Sequence, residues 1–149
     1  MTERPGPRAT AGLLLPDPDD PVAGPFWAGC AAGELRVQAC GVCGRRRMPP
    51  RPMCPACHSL AAGWDTMFGR ATVWSFAVPH PPLLPAYAAR APYAVLVVTL
   101  DDDPTIRLVG DAAAGQPPDA FAIGDAVEVA FERVADDVVL PRWRPVTEP

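Results

Sequence analysis

The chain of 149 residues contains neither lysine nor asparagine, and all 13 of its basic residues are arginine. A lysine nucleophile, a Schiff base, a P-loop lysine and an N-glycosylation site are therefore excluded. Long apolar runs are missing too, since no segment reaches the ~18 uninterrupted apolar residues of a membrane span. The first ten residues lack the apolar core of a signal peptide. The sequence thus predicts a cytoplasmic protein with reduced cysteines.

Proline, by contrast, is abundant, at 21 of 149 residues. Proline inside a helix removes a hydrogen bond and clashes with the preceding turn, so this excess argues against a helical bundle. The apolar fraction of 49% is normal for a folded chain. We expect a flexible proline-rich tail over residues 1–25, a helix plus a cysteine-rich segment over 26–62, and a β domain over 63–149.

The net charge of −4 is unevenly distributed. Residues 34–57 carry five arginines against one glutamate, whereas residues 58–149 carry twelve acidic residues against six arginines. General nucleic-acid binding rests on phosphate neutralisation, which the acidic C-terminal region opposes. The basic segment coincides with most of the cysteines.

The pattern of the C-terminal region is typical of short β-strands, with apolar residues that alternate or run continuously. The predicted strands cover residues 72–78, 92–100, 105–109, 126–133 and 138–140, and Pro141 and Pro145 are expected to end the last one. Five such strands are too few for an immunoglobulin-type sandwich and favour a five-stranded OB-fold barrel. The predicted fold class is therefore mainly β. One short N-terminal helix is expected from Pro25 through Leu35, with Gly33 as its C-terminal stop signal.

Four cysteines form two C-x₂-C pairs separated by ten residues: Cys40, Cys43, Cys54 and Cys57. Each pair on a tight turn directs two thiolates at one point, and two facing pairs complete a tetrahedral four-sulfur shell for Zn²⁺. A closed shell leaves no position for water or substrate, so the predicted site is structural.

Other interpretations of the cysteines stay open. Residues 54–58 match C-x-x-C-H, the attachment motif of c-type haem, although this would not explain the first pair. Iron takes the same four ligands, and spacing does not exclude it. A dithiol redox pair would need an accessible low-pKa thiol on a βαβ scaffold, which the flanking sequence does not indicate. We expect His58 to be a solvated neighbour and Cys30 a buried free thiol.

Three consecutive arginines, Arg45, Arg46 and Arg47, lie between the two cysteine pairs. Clustered guanidinium groups bind phosphate well, either in nucleic acid or in a cofactor such as coenzyme A. An ordinary solvated surface explains them equally well.

At these positions the chain resembles a known family, a domain-of-unknown-function family described as acyl-CoA-associated. Its members join an N-terminal rubredoxin-like zinc ribbon to a C-terminal OB fold. The matching residues are Phe26, Trp27, Gly33, Glu34, Leu35, Gln38, Cys40, Cys43, Gly44, Pro49, Pro50, Arg51, Cys54, Pro55, Cys57, Ser59, Trp64, Gly69, Thr72, Val73, Pro92, Tyr93 and Gly124.

The resemblance implies a structural zinc on the four cysteines and a non-catalytic role. Family members are typically accessory subunits of thiolases, of lipid-transfer-protein-type aldolases or of acyl-CoA hydratases, in steroid and polyketide-like metabolism. For this chain we expect a hetero-oligomer with a thiolase-like partner, contacted through Phe26, Trp27 and Leu35. Arg45, Arg46 and Arg47 would lie near the CoA phosphates.

Two functions from other classes remain as alternatives. Zinc ribbons and OB folds also bind single-stranded nucleic acid. A stand-alone enzyme or an iron-based electron carrier is the other alternative.

Overall fold

The computed structural model describes residues 9–10 and 12–147, and these residues are mainly β. Residues 1–8 and 11 of the expected tail lie outside the described residues. The elements in chain order are β1 (Ala9–Thr10), β2 (Leu13–Leu14), α1 (Gly24–Ala31), β3 (Leu35–Cys40), β4 (Arg46–Arg47), β5 (Ala62–Met67), β6 (Arg70–Ala77), α2 (Pro85–Ala88), β7 (Val95–Leu100), β8 (Arg107–Asp111), β9 (Ala126–Ala135) and β10 (Val138–Pro145).

The ribbon is a three-stranded antiparallel sheet in the order β4-β3-β5. Its central strand begins at Leu35, so the predicted helix is wrong over residues 32–35. Gly33 takes a left-handed backbone with φ of 75°, which ends the helix. Leu35 then pairs with Met67 of β5, a partner far along the chain. Strand β5 spans the predicted division at 62/63, and that division stays a prediction.

The five-stranded sheet that follows has the order β10-β9-β6-β7-β8, with every pair antiparallel. Its two edge strands meet where the Ala113 N–H donates to the Trp143 carbonyl at 2.7 Å, next to a parallel bridge between Ala112 and Trp143. A Cβ on Gly110 would lie 3.0 Å from the Trp143 ring nitrogen, so glycine permits this close approach. This contact closes the sheet into the predicted OB-fold barrel.

Strand β10 continues through Pro141 to Pro145 instead of ending at Pro141, which corrects the sequence expectation. Among the strands that the structure describes, β10 pairs within the sheet with β9 alone and is an edge strand. Proline has no N–H to donate, and an edge strand tolerates this loss because one side of it carries no ladder.

One hydrophobic core joins the ribbon to the barrel. Phe26 and Cys30 of α1 and Leu35 of β3 belong to the same buried cluster as Leu96 and Trp143 of the barrel. Burial of this shared apolar surface is the main force holding the two parts together.

The described part of the expected tail packs against the rest of the protein. Leu15 is buried, and the Leu14 N–H donates to the Tyr87 hydroxyl at 3.2 Å. The apolar patch at residues 13–15 therefore rests on the protein beside α2. Among the described residues, no helix is long and apolar enough to cross a membrane.

Candidate metal centre

The two cysteine pairs converge on one point at the far end of the ribbon. The four Sγ atoms of Cys40, Cys43, Cys54 and Cys57 all lie within 4.8 Å of one another. The Sγ atoms of Cys40 and Cys57 are 3.5 Å apart, and those of Cys43 and Cys54 are 3.7 Å apart. Thiolates that hold zinc tetrahedrally at ~2.3 Å are about 3.8 Å from each other. The donor set and its spacing therefore fit Zn²⁺.

Both pairs sit on turns of the same shape, which we call the two knuckles (residues 40–44 and 54–58). The Gly44 N–H donates to the Cys40 carbonyl, and the His58 N–H donates to the Cys54 carbonyl, each at 3.0 Å. Gly44 and His58 have φ angles of 74° and 59°. His58 thus occupies the left-handed position that glycine fills in the first knuckle. It is exposed and lies outside the sulfur cluster.

Backbone N–H groups favour the thiolate form of two of the sulfurs. The N–H groups of Cys43 and Val42 point at the Cys40 Sγ and lower the pKa of Cys40 to about 6. The N–H groups of Cys57 and Ala56 lower the pKa of Cys54 in the same way. Because a metal binds the thiolate and not the thiol, the knuckles prepare these sulfurs for coordination.

This convergence also bears on the alternatives. Since all four sulfurs face one point, neither pair is left over for haem attachment or for a separate dithiol. Cys30 lies apart in the hydrophobic core, where burial raises the pKa of its thiol to about 12. A thiol so buried and so weakly acidic does not act as a nucleophile.

The three arginines have different surroundings, and their contact with CoA phosphates stays a prediction. Arg45 is exposed. The Arg46 guanidinium pairs with Asp65 at 2.7 Å and Asp103 at 3.3 Å, and Arg47 is buried. These acidic partners come from β5 and from the β7–β8 turn, positions that no local spacing connects to Arg46. A polar cleft of about 500 Å³ lies along Arg46, between the first knuckle and the barrel.

The three predicted interface residues differ in exposure, and their contact with a partner stays a prediction. Phe26 and Leu35 are only 6% and 1% exposed and pack in the shared core. Trp27 is half-buried, with its ring edge-on to Phe26 at 4.8 Å.

A second cavity, of about 660 Å³, was not expected from the sequence. It lies among α1, α2, the ribbon and the edge strands β8 and β10, and its walls are largely apolar. Arg142 and Asp111 line it and form an ion pair.

The contact between Arg46 and Asp103 ties the ribbon to the barrel, and we expect it to make stability pH-dependent. The Thr105 hydroxyl, the Thr105 N–H and Arg46 hold the pKa of Asp103 below its usual value. A carboxylate with a lowered folded pKa stabilises the protein above its unfolded pKa, and this contribution is lost as pH falls through the folded value. The substitution Asp103→Asn should cost about 1 kcal/mol at pH 7. The difference from wild type should shrink toward pH 3 in urea unfolding.

The Asp136→Asn variant is the control for that series, since Asp136 is exposed and its substitution should stay within about 0.5 kcal/mol of wild type. A constant deficit of Asp103→Asn across the pH range would show that the carboxylate's charge is not the source of the effect.

Comparison with known families gives two matches. Residues 27–61 match the family described as "ChsH2, rubredoxin-like zinc ribbon domain". Residues 64–132 match the family described as "ChsH2, C-terminal OB-fold domain". Both assignments agree with the ribbon and the barrel seen in the structure.

Two curated proteins are similar to the chain over most of its length. A probable enoyl-CoA hydratase alpha subunit of Thermomonospora curvata is 36% identical over 123 residues, covering 80% of this chain and 36% of that protein. The 3-oxo-4,17-pregnadiene-20-carboxyl-CoA hydratase alpha subunit of Mycobacterium tuberculosis is 33% identical over 106 residues, covering 71% and 32%. The chain thus spans about a third of the length of these relatives.

A solved structure resembles the chain more completely. A chain of the structure described as "Ltp2-ChsH2(DUF35) aldolase" superposes with a TM-score of 0.77 at 29% identity. The match covers 87% of this chain and 98% of the other.

Proposed function

This chain belongs to the ChsH2 family, in which a rubredoxin-like zinc ribbon precedes a C-terminal OB fold, and from that membership we propose that it is a non-catalytic accessory subunit. Its partner is a thiolase-like enzyme, an aldolase of the lipid-transfer-protein type or a thiolase. That enzyme acts on acyl-CoA thioesters in steroid side-chain degradation. The accessory subunit binds it and stabilises it in a hetero-oligomer.

The likeness to the Ltp2-ChsH2(DUF35) aldolase structure carries this proposal. It extends over 98% of the matched chain and therefore includes both the ribbon and the barrel. The hydratase alpha subunits, in contrast, are about three times longer than their match to this chain. Most of each hydratase subunit has no counterpart here, so the aldolase complex is the closer guide to function.

The chemistry of the cysteines supports a structural role for this chain. The four knuckle cysteines would hold Zn²⁺, and their thiolates fill a tetrahedral shell without room for substrate. The ion would then supply folding energy to the ribbon and take no part in a reaction. The remaining cysteine, Cys30, is buried and weakly acidic.

The arginines of the ribbon give little support to the nucleic-acid alternative. Affinity for nucleic acid depends on accessible basic side chains. Arg46 is neutralised by two carboxylates and Arg47 is buried, so a single exposed arginine remains of the three.

Coexpression with the Ltp2-type aldolase subunit of the same organism tests the proposal. We expect a complex of fixed stoichiometry that cleaves its acyl-CoA substrate. The aldolase subunit without this chain should be insoluble or at least tenfold less active, and this chain alone should be inactive. Full activity and solubility of the aldolase subunit without this chain would contradict the proposal.

A further inference from the structure

Three exposed apolar side chains lie in or next to the two knuckles. Val42 and Leu60 are 71% and 73% exposed, and Met53 is about half exposed. We call these three residues the knuckle-tip surface. Isolated exposed apolar residues are common, but a group of them at one site marks an interaction surface.

The three residues lie at one end of the ribbon. The Gly41 N–H donates to the Ala61 carbonyl at 2.9 Å. This hydrogen bond brings together the two backbone segments that carry Val42 and Leu60. Met53 precedes Cys54, whose Sγ is 3.7 Å from that of Cys43. Backbone hydrogen bonds of the knuckles hold the main chain at this end of the ribbon, so a partner that binds here has little backbone to order.

The electrostatic surroundings define the partner's chemistry. There is no aspartate or glutamate between Leu35 and Trp64. Arg45 and Arg51 of this segment are exposed, whereas residues 58–149 have a net negative charge. The knuckle tips therefore form an apolar patch with a basic edge, and a complementary surface is apolar with carboxylates around it.

A protein fits this surface better than a nucleic acid does. Single-stranded nucleic acids stack their bases on aromatic rings, and the three exposed side chains are aliphatic. A protein interface instead combines an apolar core with a polar rim, and methionine and arginine are enriched in it.

We propose that the knuckle-tip surface is where this chain docks onto its thiolase-like enzyme subunit, through an apolar patch on that subunit edged by carboxylates. This inference rests on the proposed function and assigns the contact to Val42, Met53 and Leu60, in place of the buried Phe26 and Leu35.

The barrel offers a matched control for the test. Val109 and Ile123 are 68% and 69% exposed, close to the values for Val42 and Leu60. The double variants V42E/L60E and V109E/I123E therefore introduce the same charges at equally exposed aliphatic positions. A third variant, V42Q/L60Q, removes the apolar surface without adding charge beside the knuckles.

The affinity of each variant for the purified Ltp2-type aldolase subunit is measured by titration calorimetry. Where that subunit is insoluble alone, pulldown of the coexpressed pair replaces calorimetry. Zinc content is determined for every variant. We expect V42E/L60E to weaken binding about 100-fold and V42Q/L60Q about 10-fold. V109E/I123E should stay within twofold of wild type. If V42E/L60E lost zinc, V42Q/L60Q would decide the result.

Different results identify what has failed. Wild-type binding that V42Q/L60Q and V42E/L60E both leave unchanged would overturn the docking surface while the proposed function stands. No complex with wild type would overturn the proposed function and the docking surface with it. A homodimer of this chain, or salt-sensitive oligonucleotide binding, that V42Q/L60Q abolishes would reassign the surface to a second copy or to nucleic acid.

Discussion

Replacing Cys54 with serine is expected to abolish zinc binding and to unfold the ribbon. Cys54 is the first residue of the second knuckle and is fully buried, and its Sγ is one of the four that converge. In zinc-finger peptides the metal contributes about 10–16 kcal/mol of apparent folding free energy. A typical domain has a total stability of about 5–15 kcal/mol. The folding free energy lost with the ion is therefore as large as the stability of the whole ribbon. Metal analysis and thermal unfolding measure both effects.

The damage should extend to the barrel. Leu35, Val37 and Met67 of the ribbon lie in the same core as Leu96 and Trp143. Unfolding of the ribbon exposes that side of the core, and the Cys54→Ser protein should therefore lose its cooperative thermal transition.

Cys30→Ser is the matched control, because Cys30 is equally buried but lies outside the sulfur cluster. It should cost about 1–3 kcal/mol, as a buried hydroxyl without a partner does, and retain one zinc per chain. A Cys54→Ser protein that keeps one zinc and the wild-type melting temperature would refute the assigned site. So would loss of zinc from the Cys30→Ser protein.

The sequence predicted the metal centre well because its geometry is local. A C-x₂-C pair on a tight turn determines where two sulfurs point, and only the meeting of the two knuckles depends on the rest of the fold. The strands of the barrel were found for a similar reason, since alternation of apolar residues is a property of each strand alone. The OB fold followed from the number and length of these strands.

The errors arose where a residue's environment is set by distant segments. Leu35 follows a helix and was assigned to it, but pairing with Met67 makes it the first residue of a strand. The ion pairs of Arg46 depend on distant segments in the same way, because its partners Asp65 and Asp103 lie 19 and 57 residues away. Pro141 is tolerated in β10 because that strand lies at the edge of the sheet, a fact of topology.

The substitution Asp111→Asn is expected to cost about 3–5 kcal/mol of unfolding free energy. Arg142 is only 7% exposed, and its guanidinium pairs with Asp111. Without that carboxylate, Arg142 keeps a longer contact with Glu132, with 3.5 Å between the Arg142 Nε and the Glu132 carboxylate oxygen. Arg90 loses a 3.0 Å partner as well. A buried cation with too little compensation is strongly destabilising, and for a chain of this length the melting temperature should fall by about 10 °C.

Two further variants separate this effect from the loss of an ordinary ion pair. Glu34→Gln breaks a pair with Arg36 whose side chains are both substantially exposed, and such pairs contribute at most about 1 kcal/mol. The double variant Asp111→Asn with Arg142→Met removes the buried cation together with its partner. Because replacing a buried ion pair by apolar groups is often neutral, the double variant should regain most of the stability that Asp111→Asn loses. If Asp111→Asn cost no more than Glu34→Gln in urea unfolding, or if the double variant were less stable than Asp111→Asn, the burial of Arg142 would not be the source of the loss.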